Sequence, residues 1–339
     1  MDRQAIMQTV RNAQLPFPSG LLQAMNLKLV GGRTLGTLLA RACSIFAPVF
    51  VPVLEQGNGD LITLHCTPGI PWQRWQWIQL PHDGDNPILI STALEFLPGA
   101  LLVPPLWCPN RVEEIWPEIV AFVAAVGSTL PDRELFEQEN VYRAALRAAV
   151  DPGDSAARVA EIVRQPGDPG PALEELLQDC PNDVFVLVAI ALKRKASGGD
   201  AQGPARQALG CEVASGFNHA LTRLITVGSS PAELLEKVRP IGLDGIGADS
   251  PFALLADTPY THPAAAERLI EVADRLRVGG DEGAALTQLR NGCAVAGWTS
   301  GDLDRRWCDR LAEQSERVEP GGLSAALARH AGDVIERGP

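Results

Sequence analysis

No apolar run in this chain of 339 residues approaches the roughly 18 residues that a bilayer-spanning helix requires. The opening Met1-Asp2-Arg3-Gln4-Ala5-Ile6-Met7 puts polar side chains where a signal peptide carries its apolar core. The expectation is a chain that stays in the compartment where it is made, with no membrane contact. Cysteine pairs are missing as well. The seven cysteines (Cys43, Cys66, Cys108, Cys180, Cys211, Cys293 and Cys308) are odd in number and none stands in Cys-x-x-Cys spacing. Neither a disulfide framework nor a zinc knuckle is signalled, and a reducing cytoplasm fits best. Most lie in apolar segments, where free cysteine behaves as a small buried hydrophobe.

An excess of positive charge is also lacking. The chain carries 29 Lys and Arg against 41 Asp and Glu, a formal net charge of −12. Residues 1–110 hold six basic and six acidic side chains, so the whole excess falls in residues 111–339, with 23 and 35. Direct nucleic-acid binding is disfavoured, because phosphate contact needs Lys and Arg. An acidic face suits a basic partner and speeds encounter with it; net negative charge also serves solubility alone.

Catalytic patterns are absent too. There is no Gly-x-Ser-x-Gly elbow. Gly242-x-x-Gly245-x-Gly247 lacks the Lys-Ser or Lys-Thr and the preceding apolar strand of a phosphate loop, and reads as a helix connection. Glu113-Glu114 and Glu174-Glu175 diverge around a helix as solvated faces. His65 and Cys66, with His82 and Cys108, are the nearest approach to a metal set. Adjacent strand residues point to opposite faces, so His65 and Cys66 do not ligate one ion. Cys108 or Cys43 beside His82 is a pairing any chain of this size offers. No catalytic residue, cofactor or metal is expected.

What is present is organisation. The helical segment Asp2–Gln14 is broken by Leu15-Pro16-Phe17-Pro18, since proline removes a donor and clashes inside a helix. Short helices follow from Leu21 and over Thr34–Phe46. The apolar runs Val49–Leu54 and Leu61–Cys66 flank Gln56-Gly57-Asn58-Gly59-Asp60, a hairpin signal because its glycines accept positive φ. Trp72–Leu80 alternates as a strand, with Trp75, Trp77 and Gln79 on one face. His82 to Pro87 is a turn, Ile88–Ile90 a short strand, and Ser91 or Thr92 a helix cap for a helix reaching about Leu97. From Asn110 a helix runs on, kinked at Pro117.

Beyond residue 128 nearly every signal is helical: Glu134–Val150, Ala156–Arg164, Pro171–Asp179, Val184–Ala196, Gly203–Ala214, Phe217–Val227, Ala232–Val238, Pro263–Val278, Glu282–Ala296, Leu303–Ser315 and Ser324–Arg337. No repeat period recurs. The prediction is an α+β N-terminal domain, 1–128, with a small antiparallel sheet flanked by helices. An acidic all-helical domain of helical hairpins, 129–339, follows it.

The stretch Val51-Pro52-Val53-Leu54-Glu55-Gln56-Gly57-Asn58-Gly59-Asp60-Leu61-Ile62-Thr63-Leu64 resembles the strand, Gly-Asp turn and strand of the SUKH superfamily. Trp75–Leu80 sits where that family places its next strand, and Ile88–Leu97 is similar to its closing strand and helix. Its usual Trp-Asp-His is replaced here by Trp77-Ile78-Gln79-Leu80-Pro81-His82-Asp83. The resemblance covers roughly residues 20–100. It implies a non-enzymatic α+β domain that binds a protein partner, often as an immunity protein against a secreted antibacterial toxin, with a nuclease as the basic partner matched to the −12 charge. The alternative is an adaptor or chaperone that loads an effector onto a type VI-like secretion apparatus.

The candidate partner-binding residues are Glu55, Asp60, Asp83 and Asp85, an acidic rim at the hairpin tips, with Trp75 and Trp77 as contact area. Each has a plainer reading. The aspartates after glycine cap turns with their own side chains, and the two tryptophans pack as core under the helices.

Overall fold

The computed structural model describes residues 49–55, 61–80, 88–100, 116–117, 120, 124, 132–137, 143–212, 236–241, 263–296 and 305–337. The helices expected before residue 49, the turn segments 56–60 and 81–87, and the helix expected over Phe217–Val227 lie outside them.

Four strands, β1 (Phe50–Glu55), β2 (Leu61–His65), β3 (Gln76–Leu80) and β4 (Ile88–Ser91), form one antiparallel sheet in chain order. Glu55 pairs with Leu61 and Phe50 with His65, as the glycine-rich connection requires of a hairpin. The ladder slips between Pro52 and Leu54; proline cannot donate, and such irregularities belong on edge strands. β3 is interior and buried on both faces: Trp77, Ile78, Gln79 and Leu80 are all inside. This strand therefore has no solvated side.

Two expectations change. Trp72–Arg74 is a single 3-10 turn rather than the start of a strand. Trp75 follows it and donates its indole N–H to the Ile70 carbonyl at 2.8 Å, so the strand begins only at Gln76. The helix placed before Leu97 instead starts there, as α1 (Leu97–Ala100). Thr92 is not its cap, because the Thr92 amide and hydroxyl are both bonded to the Asp151 carboxylate.

The remaining described helices are α2 (Arg133–Glu137), α3 (Arg143–Val150), α4 (Ser155–Arg164), α5 (Gly170–Asp179), α6 (Val184–Ala196) and α7 (Gln202–Leu209). They continue with α8 (Pro263–Val278), α9 (Glu282–Ala296), α10 (Arg305–Val318) and α11 (Leu323–Arg337). α7 stops short of the expected Ala214, at Gly210. Coarsely, a small antiparallel sheet precedes a helical array. Among the described residues no helix is long and apolar enough to cross a membrane.

Local chemistry sets these boundaries. Asp154 caps α4 by accepting from the Ala157 amide at 3.0 Å, and Asp183 caps α6 through the Phe185 and Val186 amides. Such caps are worth about 1 kcal/mol each. α6 buries every residue from Val184 to Ala191; a helix apolar all round belongs in the centre, and α4, α5 and α7 pack against it. α8 ends at Val278, and Gly280 beyond it, with a φ of +85°, lets the Asp281 amide return to the Leu276 carbonyl at 3.0 Å. α9 follows at once and packs on α8 and α10, with α11 against α10. One cluster of buried side chains runs from Phe50, Trp77 and Ile90 in the sheet through α6 to Trp307 and Leu327.

α9 and α10 meet at Gly292, where a β-carbon would lie 2.7 and 2.8 Å from Cε2 and Cζ2 of the fully buried Trp307. Alanine is favoured over glycine within a helix by about 1 kcal/mol, but an indole held on all sides cannot withdraw. Gly292→Ala is therefore expected to destabilise by a net ~1–3 kcal/mol, read as a lower urea midpoint; an unchanged or raised midpoint would show that the helices separate freely here.

Candidate functional site at the sheet–helix junction

Of the residues expected to bind a partner, Asp60, Asp83 and Asp85 lie outside the described residues, and Glu55 is the last residue of β1, opposite Leu61. Trp75 and Trp77 are core side chains, 5% and 1% exposed. Trp77 lies within β3, covered on both faces, and Trp75 in the turn before it, so both match the plainer reading as core. His82, Cys43 and Cys108 also lie outside the described residues. His65 and Cys66 are not a ligand pair. Burial pushes the Cys66 thiol up to about 12, and His65 is bonded to a carboxylate and a guanidinium. Among the described residues no three His, Cys, Asp or Glu side chains gather as a metal site.

What the fold does assemble is an open cleft of about 1540 Å³ between the sheet and the helices. Its sheet side is the end of β2 with the Thr67–Arg74 loop. Its helical side is built from the turn after α3, the starts of α6 and α9, and the residues following α7. Among the described residues, four carboxylates (Asp179, Asp183, Glu212 and Asp281) line it against two guanidinium groups, Arg74 and Arg158. Two cysteines also reach it, and burial raises both: Cys180 above its ordinary value, and Cys211 to about 12. Neither is a thiolate near neutral pH.

A charged cluster forms part of this wall. His65 Nε2 lies 3.0 Å from Glu212 Oε1, Arg290 Nε donates to the same oxygen at 2.8 Å, and Arg290 Nη2 is 2.8 Å from His65 Nε2. His65 is 2% exposed and its ring packs against that of Phe50, centroids 5.3 Å apart and planes tilted by 37°. Burial alone would raise the Glu212 carboxyl, but Arg290 and His65 outweigh it and bring it down to about 2. The cluster ties β2 to α9 and to the segment following α7.

A second cluster anchors the other side. Arg147 on α3 donates Nε to Asp154 at 2.7 Å and Nη2 to the Ile90 carbonyl of β4. Asp151, 3.8 Å from Arg147 Nη2, accepts from the Thr92 amide at 2.8 Å and from its hydroxyl. Asp151 and Asp154 are both 0% exposed. Burial pushes the Asp151 carboxyl up, opposed by Arg147 and Thr92. The edge of β4 is thus closed by side chains of α3 and its turn.

Sequence reasoning missed both clusters. His65 and Arg290 are 225 residues apart, and no spacing rule joins them. Arg147, Asp151 and Asp154 are close in sequence, but Asp151 and Asp154 lie in the turn between α3 and α4, where no helical spacing marks them. No protein-family model, no curated protein and no solved structure matches this chain.

Proposed function

We propose that this protein is an immunity protein that neutralises a secreted antibacterial toxin in the cytoplasm by binding it. The observation that carries the reading is the junction cleft, about 1540 Å³ and lined, among the described residues, by more carboxylates than guanidinium groups. Small-molecule sites span roughly 300–1,000 Å³, so this one is large for a metabolite and suits part of another macromolecule. The −12 charge argues against nucleic acid and favours a basic protein, and nucleases, which must grip phosphates, present such surfaces. The SUKH-like strand–turn–strand of Val51–Leu64 supports the same class of partner.

Co-purification with a toxin encoded beside the chain's gene tests the proposal. The complex is expected to form at low salt and to weaken as ionic strength rises and the Debye length falls from about 10 Å at 0.1 M to 3 Å at 1 M. Absence of a complex at every salt concentration overturns it; capture of a secretion-apparatus component instead would favour the adaptor role.

A further inference from the structure

Two separate clusters of buried charge join the sheet to the helices. His65 of β2 contacts Glu212, in the segment after α7, and Arg290 of α9. The Ile90 carbonyl of β4 accepts from Arg147 of α3, and the Thr92 amide and hydroxyl donate to Asp151 in the turn beyond that helix. His65, Arg290, Arg147 and Asp151 are each 5% exposed or less. A buried charge that loses its partner has no water to replace it, so groups placed in this way resist separation one at a time.

Apolar contact crosses the same junction. One cluster of buried side chains runs from Phe50 and Trp77 in the sheet through α6 to Trp307 of α10 and Leu327 of α11. β3 is inside on both faces, so withdrawing the sheet exposes Trp77, Ile78 and Leu80 together with whatever covers them. Chains beyond roughly 250–300 residues ordinarily divide into separate cores that fold and open one by one. Among the described residues no such gap parts the sheet from α10 and α11.

We infer that the two charged clusters brace the sheet against the helical array, so that both open together as one cooperative unit. Native-state hydrogen exchange of the full chain in low urea, read by mass spectrometry, tests this. Segments 61–80 of the sheet, 184–196 of α6 and 305–337 of α10 and α11 are expected to converge on one opening equilibrium with one urea slope. Ile78→Ala removes a fully buried side chain of β3 that belongs to neither charged cluster. It is expected to speed exchange about thirtyfold, and equally, in all three segments.

The cluster variants are expected to do what a packing loss does not. Arg290→Met leaves the Glu212 carboxylate, 21% exposed, beside His65 without its guanidinium. Withdrawal of the sheet admits water and relieves that cost, so segment 61–80 should open about tenfold more readily than 305–337. Arg147→Met strands Asp151 in the same manner and is expected to part the segments likewise. Where methionine prevents folding, Glu212→Gln keeps the volume and strands Arg290 instead, with the same expected order. The inference is overturned if segment 61–80 of the native chain exchanges through a lower-energy opening than 305–337. It is equally overturned if Ile78→Ala speeds exchange in the sheet alone, or if the cluster variants leave the segments opening together. No partner enters the measurement, so its failure leaves the immunity reading standing.

Discussion

Replacing Arg147 with methionine is expected to lower the unfolding free energy by about 3–5 kcal/mol, the usual cost of removing one partner from a buried ion pair. Methionine fills much of the same volume, so the loss comes from electrostatics and hydrogen bonding. Asp154 and Asp151 are fully buried and lose their cation, and the Ile90 carbonyl loses its side-chain donor. The pH dependence has a definite sign. Burial holds the folded Asp151 carboxyl above its ordinary value, so the folded state binds more protons than the unfolded one and stability falls as pH rises through that window. Without Arg147 that penalty grows, and the deficit of the variant should shrink as the solution is made mildly acid. Urea unfolding at neutral and mildly acid pH reads both effects. A loss below about 1 kcal/mol would mean that α3 and β4 are held by packing alone.

Glu212 predicts the opposite slope. Its carboxyl is lowered from 4.5 to about 2 by Arg290 and His65 acting against burial. The folded value is depressed, so the stabilisation is complete above about 4.5 and is lost as pH falls toward about 2. At 1.36 kcal/mol per unit the difference amounts to about 3 kcal/mol, with part of the side chain, 21% exposed, still screened by solvent. Glu212→Gln is expected to be less stable than the native chain near neutral pH, with the two curves converging on the acid side. Asp151 and Asp183, both raised by burial, contribute the reverse trend to each protein and cancel in the difference. A gap that stays constant with pH would show that Glu212 acts only as a packing group.

The hairpin and most helix boundaries were legible because they are written locally. Gly57-Asn58-Gly59-Asp60 stands between two apolar runs that do pair as β1 and β2, and Asp183 immediately precedes the apolar start of α6. The strand expected from Trp72 was not, because the alternation of Trp75 with Trp77 is shared by a 3-10 turn followed by a strand, and only the Trp75–Ile70 hydrogen bond separates the two. The helix expected before Leu97 failed for a tertiary reason: Thr92 is claimed by Asp151, 59 residues away. The cleft was out of reach for the same reason. Its wall joins His65 to Glu212 across 147 residues, and pairing over such distances leaves no periodic trace in the chain.

The central claim is that this chain disarms another protein by contact, through an acidic junction between sheet and helices. Colony survival measures it most directly, in cells induced to make a toxin encoded beside the chain's gene, with and without the full chain. The account predicts survival with the native chain and death without it. Death of cells that hold abundant, folded native chain would contradict it.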